Sequence, residues 1–274
     1  MVKNSKSFYS FFDEKLSLCS MNKSVFITIS QASPLLKFQI ASVIIQSESP
    51  DELYILDSSG KEENADPIVQ MQTQTTFPIE HMCFEPNTSY AYQLNKAIYR
   101  SMGDFIIIAH DIGFFHPKHI QHHLAFSKRG LFLHGVISKV TPPKTPAFTE
   151  NYQQVYDRIK SSGSALYFPM LSHLARSKSV FSKDMEIRNV SFWREDFNLI
   201  NGFDEDFSTL KYTQLDFLSR LLQLGIKSKT LQGAGLYYSP NQLPQKDTTG
   251  ADPQRLLKTL KQKRIVATNG IEKN

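Results

Sequence analysis

The chain is predicted to be an α/β protein: a single domain with a mostly parallel central sheet and helices on both faces. Two observations predict this. Apolar runs of strand length alternate along the chain with segments whose apolar residues recur at helical spacing, the rhythm that parallel strands joined by crossover helices require. Composition agrees, because 274 residues with 41% hydrophobic and 21% charged side chains can bury a sizeable core, which excludes a disordered or collagen-like chain.

Val25 to Ile29 is the first strand, and Leu36, Ile40, Val43 and Ile44 mark the helix after it. Leu53 to Leu56 is the second strand. Ala91, Leu94 and Ile98 mark the next helix, which passes through Gly103 into the strand Phe105 to Ala109, and Pro117 opens another helix. Ligands of such sheets bind beyond the carboxyl ends of the strands, here Ser30, Asp57 and His110. After Leu131 to Ile137, the proline-rich stretch Thr141 to Pro146 sustains neither regular structure and separates two halves. Ile187 to Trp193 is a strand, and Leu215, Leu218 and Leu222 share one helix face. Asn241 to Pro253 reads as loop. Pro253 to Val266 is a final helix that sets Leu256, Leu257 and Leu260 against Arg255, Lys258, Lys261, Lys263 and Arg264. The chain thus divides into an extension over 1–23, a domain over 24–240, and a loop with a basic helix over 241–274.

Thirty-one Lys and Arg against 26 Asp and Glu give a net charge of +5, with much of the excess near the C-terminus, so no nucleic-acid partner is expected. Cys19 and Cys83 are far apart and form no CxxC, which argues against a disulfide framework or cysteine zinc site and fits a reducing cytosol. Lys3, Lys6, Asp13, Glu14 and Lys15 interrupt any apolar signal core, and no apolar run approaches the ~20 residues of a spanning helix. A cytoplasmic protein is expected, with peripheral contact at the inner membrane face as an option. The basic helix carries that option; docking of the same leucine stripe against the domain is the other reading.

The residues become specific at Asn189-Val-Ser-Phe-Trp-Arg-Glu-Asp-Phe-Asn-Leu-Ile-Asn-Gly-Phe-Asp-Glu-Asp-Phe207. This stretch resembles the acceptor-side signature of GT-A nucleotide-sugar glycosyltransferases, in particular the family-2 type of lipopolysaccharide and capsule assembly. Gly103 to Ile108 with His116-Pro117 is similar to that family's strand before its metal motif and the loop after it. Leu53-Tyr-Ile-Leu-Asp57 is similar to its nucleotide-binding strand. The resemblance covers roughly residues 24 to 240. It implies a GT-A fold, a nucleotide-sugar donor, here expected to be UDP-linked, and a glycan or lipid-linked glycan acceptor. Trp193, Arg194, Asp204 and Glu205 would lie on the acceptor side; Asp57, Ser30, His110 and Asp111 would bind the donor. Another glycosyltransferase is a further possible partner.

Such chemistry normally uses a divalent cation, manganese or magnesium, to neutralise the diphosphate leaving group and a carboxylate base to deprotonate the acceptor hydroxyl. The family's Asp-x-Asp falls on His110 and Ile112, and isoleucine binds no metal. Asp111 lies between them, and with His110 it forms the remaining candidate metal pair. The family's acidic base positions become Thr213 and Gln214, with Arg220 retained, so Asp216 and Glu205 are the candidate bases. The family's late metal-binding histidine falls near Tyr237 or Tyr238. Low or metal-independent transfer is therefore expected, with a catalytically inactive binding or regulatory partner as the alternative.

Each of these residues also has a plainer reading. Asp57 could be a turn or helix-cap aspartate, and Gly202 to Glu205 merely a turn. Trp193, the only tryptophan, could stack on a sugar or fill the core, and the core reading ranks first. His119 and His123 have the i, i+4 spacing of a helical metal pair, but no glutamate follows His119, and partly exposed helix histidines are the expected outcome.

Overall fold

The structure, a computed structural model, describes residues 23–29, 36–59, 68–69, 72–110, 113–139, 189–238 and 250–272. Ser30, Asp111, Ile112, the Thr141 to Pro146 stretch and residues 241–249 of the expected loop lie outside them. The strands are β1 Lys23–Ile29, β2 Glu52–Asp57, β3 Ile79–Cys83, β4 Phe105–His110, β5 Gly113–Phe115, β6 Leu131–Lys139, β7 Asn189–Trp193 and β8 Lys227–Tyr238. The helices are α1 Leu36–Ile44, α2 Tyr90–Arg100, α3 His119–Ala125, α4 Arg194–Leu199, α5 Leu210–Leu224 and α6 Asp252–Gln262.

The strands form one sheet in the order β3-β2-β1-β4-β7-β6-β8-β5. β3, β2, β1 and β4 are mutually parallel. β7 is antiparallel to both β4 and β6, and β8 runs parallel to β6 with β5 antiparallel at its side. The sheet is therefore mixed, and its four-stranded parallel half carries the edge that matters below.

β2 and β4 read as continuous apolar runs because both faces of each strand are covered, as parallel strands require. Leu53 and Ile55, with Phe105, Ile107 and Ala109, join Ile40 and Val43 of α1 and Ile120 of α3 in one cluster. Tyr54, Leu56, Ile106 and Ile108 point the other way, into a cluster with Leu94 and Ile98 of α2, Phe197 of α4 and Phe217 and Leu221 of α5. Within that second layer Phe203 stacks on Phe217 with ring centroids 4.1 Å apart.

Local signals set the helix ends. The Ser89 side chain accepts from the Tyr92 N–H and caps α2. Gly225 ends α5 at φ +96°, a left-handed position that glycine occupies without the Cβ penalty. The final helix stops at Gln262, earlier than the leucine spacing suggests, because Lys263 turns left-handed at φ +49°. Residues 264–272 then run as an irregular strap over the turn that follows α4. Ala267 N–H donates to Ile200 O, and Asn201 Oδ1 accepts from Glu272 N–H at 2.8 Å. The described part of the C-terminal segment is thus built into the domain, with α6 lying against α5. Among the described residues no helix is long and apolar enough to cross a membrane.

Candidate functional site

Because β1, β2, β3 and β4 are parallel, their last residues share one edge. Ile29, Asp57 and Cys83 are in register, and His110 pairs with Thr28. Asp57 is 2% exposed. Its Oδ1 accepts the Ser59 N–H at 2.8 Å, an Asx turn, while Oδ2 lies 3.1 Å from His81 Nε2. The turn reading of Asp57 is thereby satisfied by one oxygen, and the other faces a second titratable group. Cys83 Sγ lies 3.6 Å from His81 Nε2 and is exposed.

Neither His81 nor Cys83 stands among the site residues that the sequence points to. Their strand, Ile79-Glu-His-Met-Cys, has two buried positions and gains its identity only by pairing with β2. The available signal was Pro78 followed by a short run with Ile and Met. His110 ends β4 at the same edge as Asp57; the candidate donor residues Ser30 and Asp111 lie outside the described residues.

The acceptor-side candidates separate. β7 is antiparallel to β4, so Trp193 pairs with Phe105, the first residue of β4, and leaves the sheet at the edge opposite Asp57. Its ring is 4% exposed, lies 5.0 Å from that of Phe105, and is covered by the Arg129 guanidinium at 4.0 Å. Trp193 therefore belongs to the core and offers no stacking face to a sugar. Arg194 donates to Gly103 O, Ile98 O and Ser101 Oγ, closing the C-terminal end of α2. Burial lowers its pKa, opposed by Glu52 and Asp104. With Asp104, Arg129, Glu195, Asn198 and Leu199 it lines an open groove of about 440 Å³ on that opposite side. Both residues are thus structural, contrary to the acceptor-side expectation.

Asp204 and Glu205 are engaged elsewhere. Asp204 is buried, with Oδ2 accepting from Arg264 at 2.7 Å and from the Thr268 N–H. Glu205 Oε1 accepts from Asn95 Nδ2 at 3.0 Å, which ties the turn to α2. Asp216, the other candidate base, is fully buried: Oδ2 accepts from Arg220 Nε at 2.7 Å and Oδ1 from Arg264 at 3.4 Å. Arg220 in turn donates to Ile200 O and Gly202 O. A base must reach its substrate, and this carboxylate is fully buried against two arginines, so the structure removes Asp216 from that role.

α5 ends beside the start of β6, where Lys227 N–H meets Gly130 O, so its first turn lies toward the edge of Asp57. There Thr213 is buried and donates to Thr209 O at 2.9 Å. Gln214 is 4% exposed, with Nε2 unpartnered. The carboxylate present at this turn comes from α6: Asp252 accepts from the backbone and hydroxyl groups of both Ser208 and Thr209.

The histidine pair is also corrected. His119 and His123 do share a face, with rings 4.8 Å apart, but that face is the core. His123 Nδ1 lies 2.7 Å from Ser191 Oγ and Nε2 3.0 Å from Asn189 Oδ1. Burial drives its pKa down to about 3, against the partly opposing Asn189 hydrogen bond. Among the described residues no three His, Cys, Asp or Glu side chains gather as a metal-ligand set.

No protein-family model and no curated protein matches the chain. Solved structures do. The chain is similar to S. aureus TarS residues 1–349 in complex with UDP, at TM-score 0.62 and 11% identity over 89% of this chain and 65% of that one. It is similar to GalNAc-T7 with UDP, GalNAc and Mn2+, at TM-score 0.63 and 13% identity over 87% and 48%. It is also similar to the mannosyltransferase PcManGT from Pyrobaculum calidifontis in complex with GDP-Man and Mn2+, at TM-score 0.52 and 12% identity over 88% and 65%. The chain thus spans less than two thirds of the length of each. The shared architecture is the GT-A fold.

Proposed function

We propose that this GT-A domain binds a nucleotide sugar, UDP-linked, at the carboxyl edge of its parallel strands, with Asp57 contacting the nucleoside and Ser30, His110 and Asp111 completing the donor side. The observation that carries the reading is the common edge on which Asp57 and His110 end the two parallel strands that flank β1 in a GT-A fold, the place where open α/β sheets take ligands. The acceptor is a surface glycan or lipopolysaccharide of the kind handled by family-2 enzymes, and transfer is slow. Divalent cation binding rests on Asp111 and His110 alone.

A second reading, a catalytically inactive binding or regulatory partner of another glycosyltransferase, draws support from the first turn of α5. Thr213 and Gln214 accept no proton at neutral pH, and Asp216 is sealed against two arginines. A peripheral membrane contact would use Lys258, Lys261 and Lys263, which are exposed on or just after α6, whereas Arg264 is held by Asp204 and Asp216.

Titration of the chain with UDP, GDP and their sugar conjugates, with and without manganese, tests both readings. Binding of a UDP compound that weakens sharply in Asp57→Asn is expected. Absence of binding to every compound would refute the nucleotide assignment, and binding without transfer or donor hydrolysis would favour the inactive partner.

A further inference from the structure

We infer that His81 reads the 2′-hydroxyl of the donor's ribose, a conclusion that rests on the nucleotide-sugar reading above and deepens it. Asp57 follows Ile55 by two residues on β2, and His81 follows Ile79 by two on β3. Ile55 and Ile79 belong to one core cluster, so alternation along each strand puts the carboxylate and the imidazole on the same face of the sheet, just past its apolar part. Cys83, in register with Asp57, lies on that face too. The side chains differ in exposure. Asp57 is 2% exposed and His81 15%, β3 ends the strand order on this side of the sheet, and the Cys83 thiol is exposed. A ligand arriving from solvent therefore meets the imidazole rather than a covered group.

An ionised carboxylate accepts hydrogen bonds and donates none. With Asp57 Oδ2 3.1 Å from Nε2, the proton of a neutral His81 is therefore assigned to Nε2, which leaves Nδ1 as an acceptor. Among the described residues the contact of Nδ1 is the Cys83 thiol at 3.9 Å, a weak donor at long range. A carboxylate behind a histidine fixes both its tautomer and its ring orientation, so this acceptor is held in place for a hydroxyl. In dinucleotide-binding sheets an acidic residue beyond the first strand and helix takes the ribose 2′-hydroxyl. Asp57 holds that place here but is covered, and its imidazole partner offers the accessible acceptor.

The test is calorimetric titration of the full chain with UDP and with 2′-deoxy-UDP, for the wild type and His81→Phe. The wild type should bind UDP about tenfold more tightly than the deoxy compound, the size of one hydrogen bond to a nucleotide hydroxyl. His81→Phe keeps a ring but no acceptor, so its UDP affinity should fall to the deoxy value while its deoxy affinity stays unchanged. A preference for UDP that survives in His81→Phe overturns the inference. So does an equal loss for both nucleotides, which is what a merely structural histidine would give, and so does a wild type that binds the two alike. Should His81→Phe not fold, His81→Leu is titrated against the same outcomes. Iodoacetamide labelling of Cys83 in a Cys19→Ser chain gives an independent readout: UDP should slow it, and UDP that binds without slowing it lies elsewhere and overturns the inference. If the wild type binds no nucleotide or nucleotide sugar, the reading beneath the inference fails first.

Discussion

Asp252 caps a helix that it does not belong to: its Oδ2 accepts the Thr209 N–H at 2.9 Å at the start of α5, although Asp252 is itself the first residue of α6. Ser208 N–H and both hydroxyls converge on the same carboxylate. An N-cap oxygen normally comes from the capping residue itself; here Thr209 spends its hydroxyl on Asp252. Asp252→Ala should lower unfolding stability by about 2 kcal/mol, a cap plus charge-assisted hydrogen bonds, with Asp252→Asn intermediate. Urea denaturation of the three proteins checks the order.

The Asp216–Arg220 pair predicts a stability defect where a catalytic defect would otherwise be sought. Removing one member of a buried ion pair strands the other, at about 3–5 kcal/mol. Asp216→Ala should therefore melt far below the wild type, whereas the apolar double variant Asp216→Leu with Arg220→Met should recover most of the loss. A folded, stable Asp216→Ala chain that merely lacked transfer activity would contradict the buried network.

Stability should fall in mild acid, and the direction follows from the histidines. Burial holds His123 down at about 3, and His116 and His134 at about 4, all below the ~6.5 of an unfolded chain. The unfolded state therefore takes up protons first as pH drops. The stability associated with the neutral imidazoles is complete above about pH 6.5 and is lost on descending toward pH 4 and then 3. His123 alone contributes a slope of up to about 1.4 kcal/mol per pH unit in that window. His123→Gln should flatten the stability-against-pH curve, measured by denaturant midpoints between those limits.

Arg194→Ala should destabilise the chain by about 1–3 kcal/mol through lost charge-assisted bonds at the end of α2, yet leave UDP affinity unchanged, since Arg194 lies at the edge opposite Asp57. Parallel melts and titrations separate the two effects; weakened UDP binding in a chain of wild-type stability would return Arg194 to the site.

Gly270→Ala should unfold at lower temperature although it adds one methyl group. A Cβ at that position would stand 1.8 Å from Asn201 O, where the strap crosses the turn after α4, and relief requires backbone movement. Overpacking of this kind costs about 1–3 kcal/mol, readable as a shift of the thermal midpoint.

Local pattern by itself determined the strands β1, β2 and β4 and the helices α1, α2 and α5, because a strand covered on both faces is a short continuous apolar run and a helix covered on one face repeats its apolar residues every three and four. It also placed Asp57 and His110 at strand ends, and parallel order then puts such ends on one edge. Pairing direction was beyond it. Whether Trp193 and Arg194 approach that edge depends on β7 running antiparallel to β4, and a single strand reads alike in either direction. Contacts between residues distant in sequence were equally hidden. Asp216 looked like a base until Arg220 and Arg264 closed on it, and Asp252 looked like loop until α6 folded back onto α5. The C-terminal residues read as a basic amphipathic helix because charge and leucine spacing are local properties. Only packing decided that Arg264 turns inward to Asp204 while Lys258, Lys261 and Lys263 stay in water. Here two buried carboxylates lie within its reach, and a buried charge is tolerated when an opposite charge and hydrogen bonds meet it.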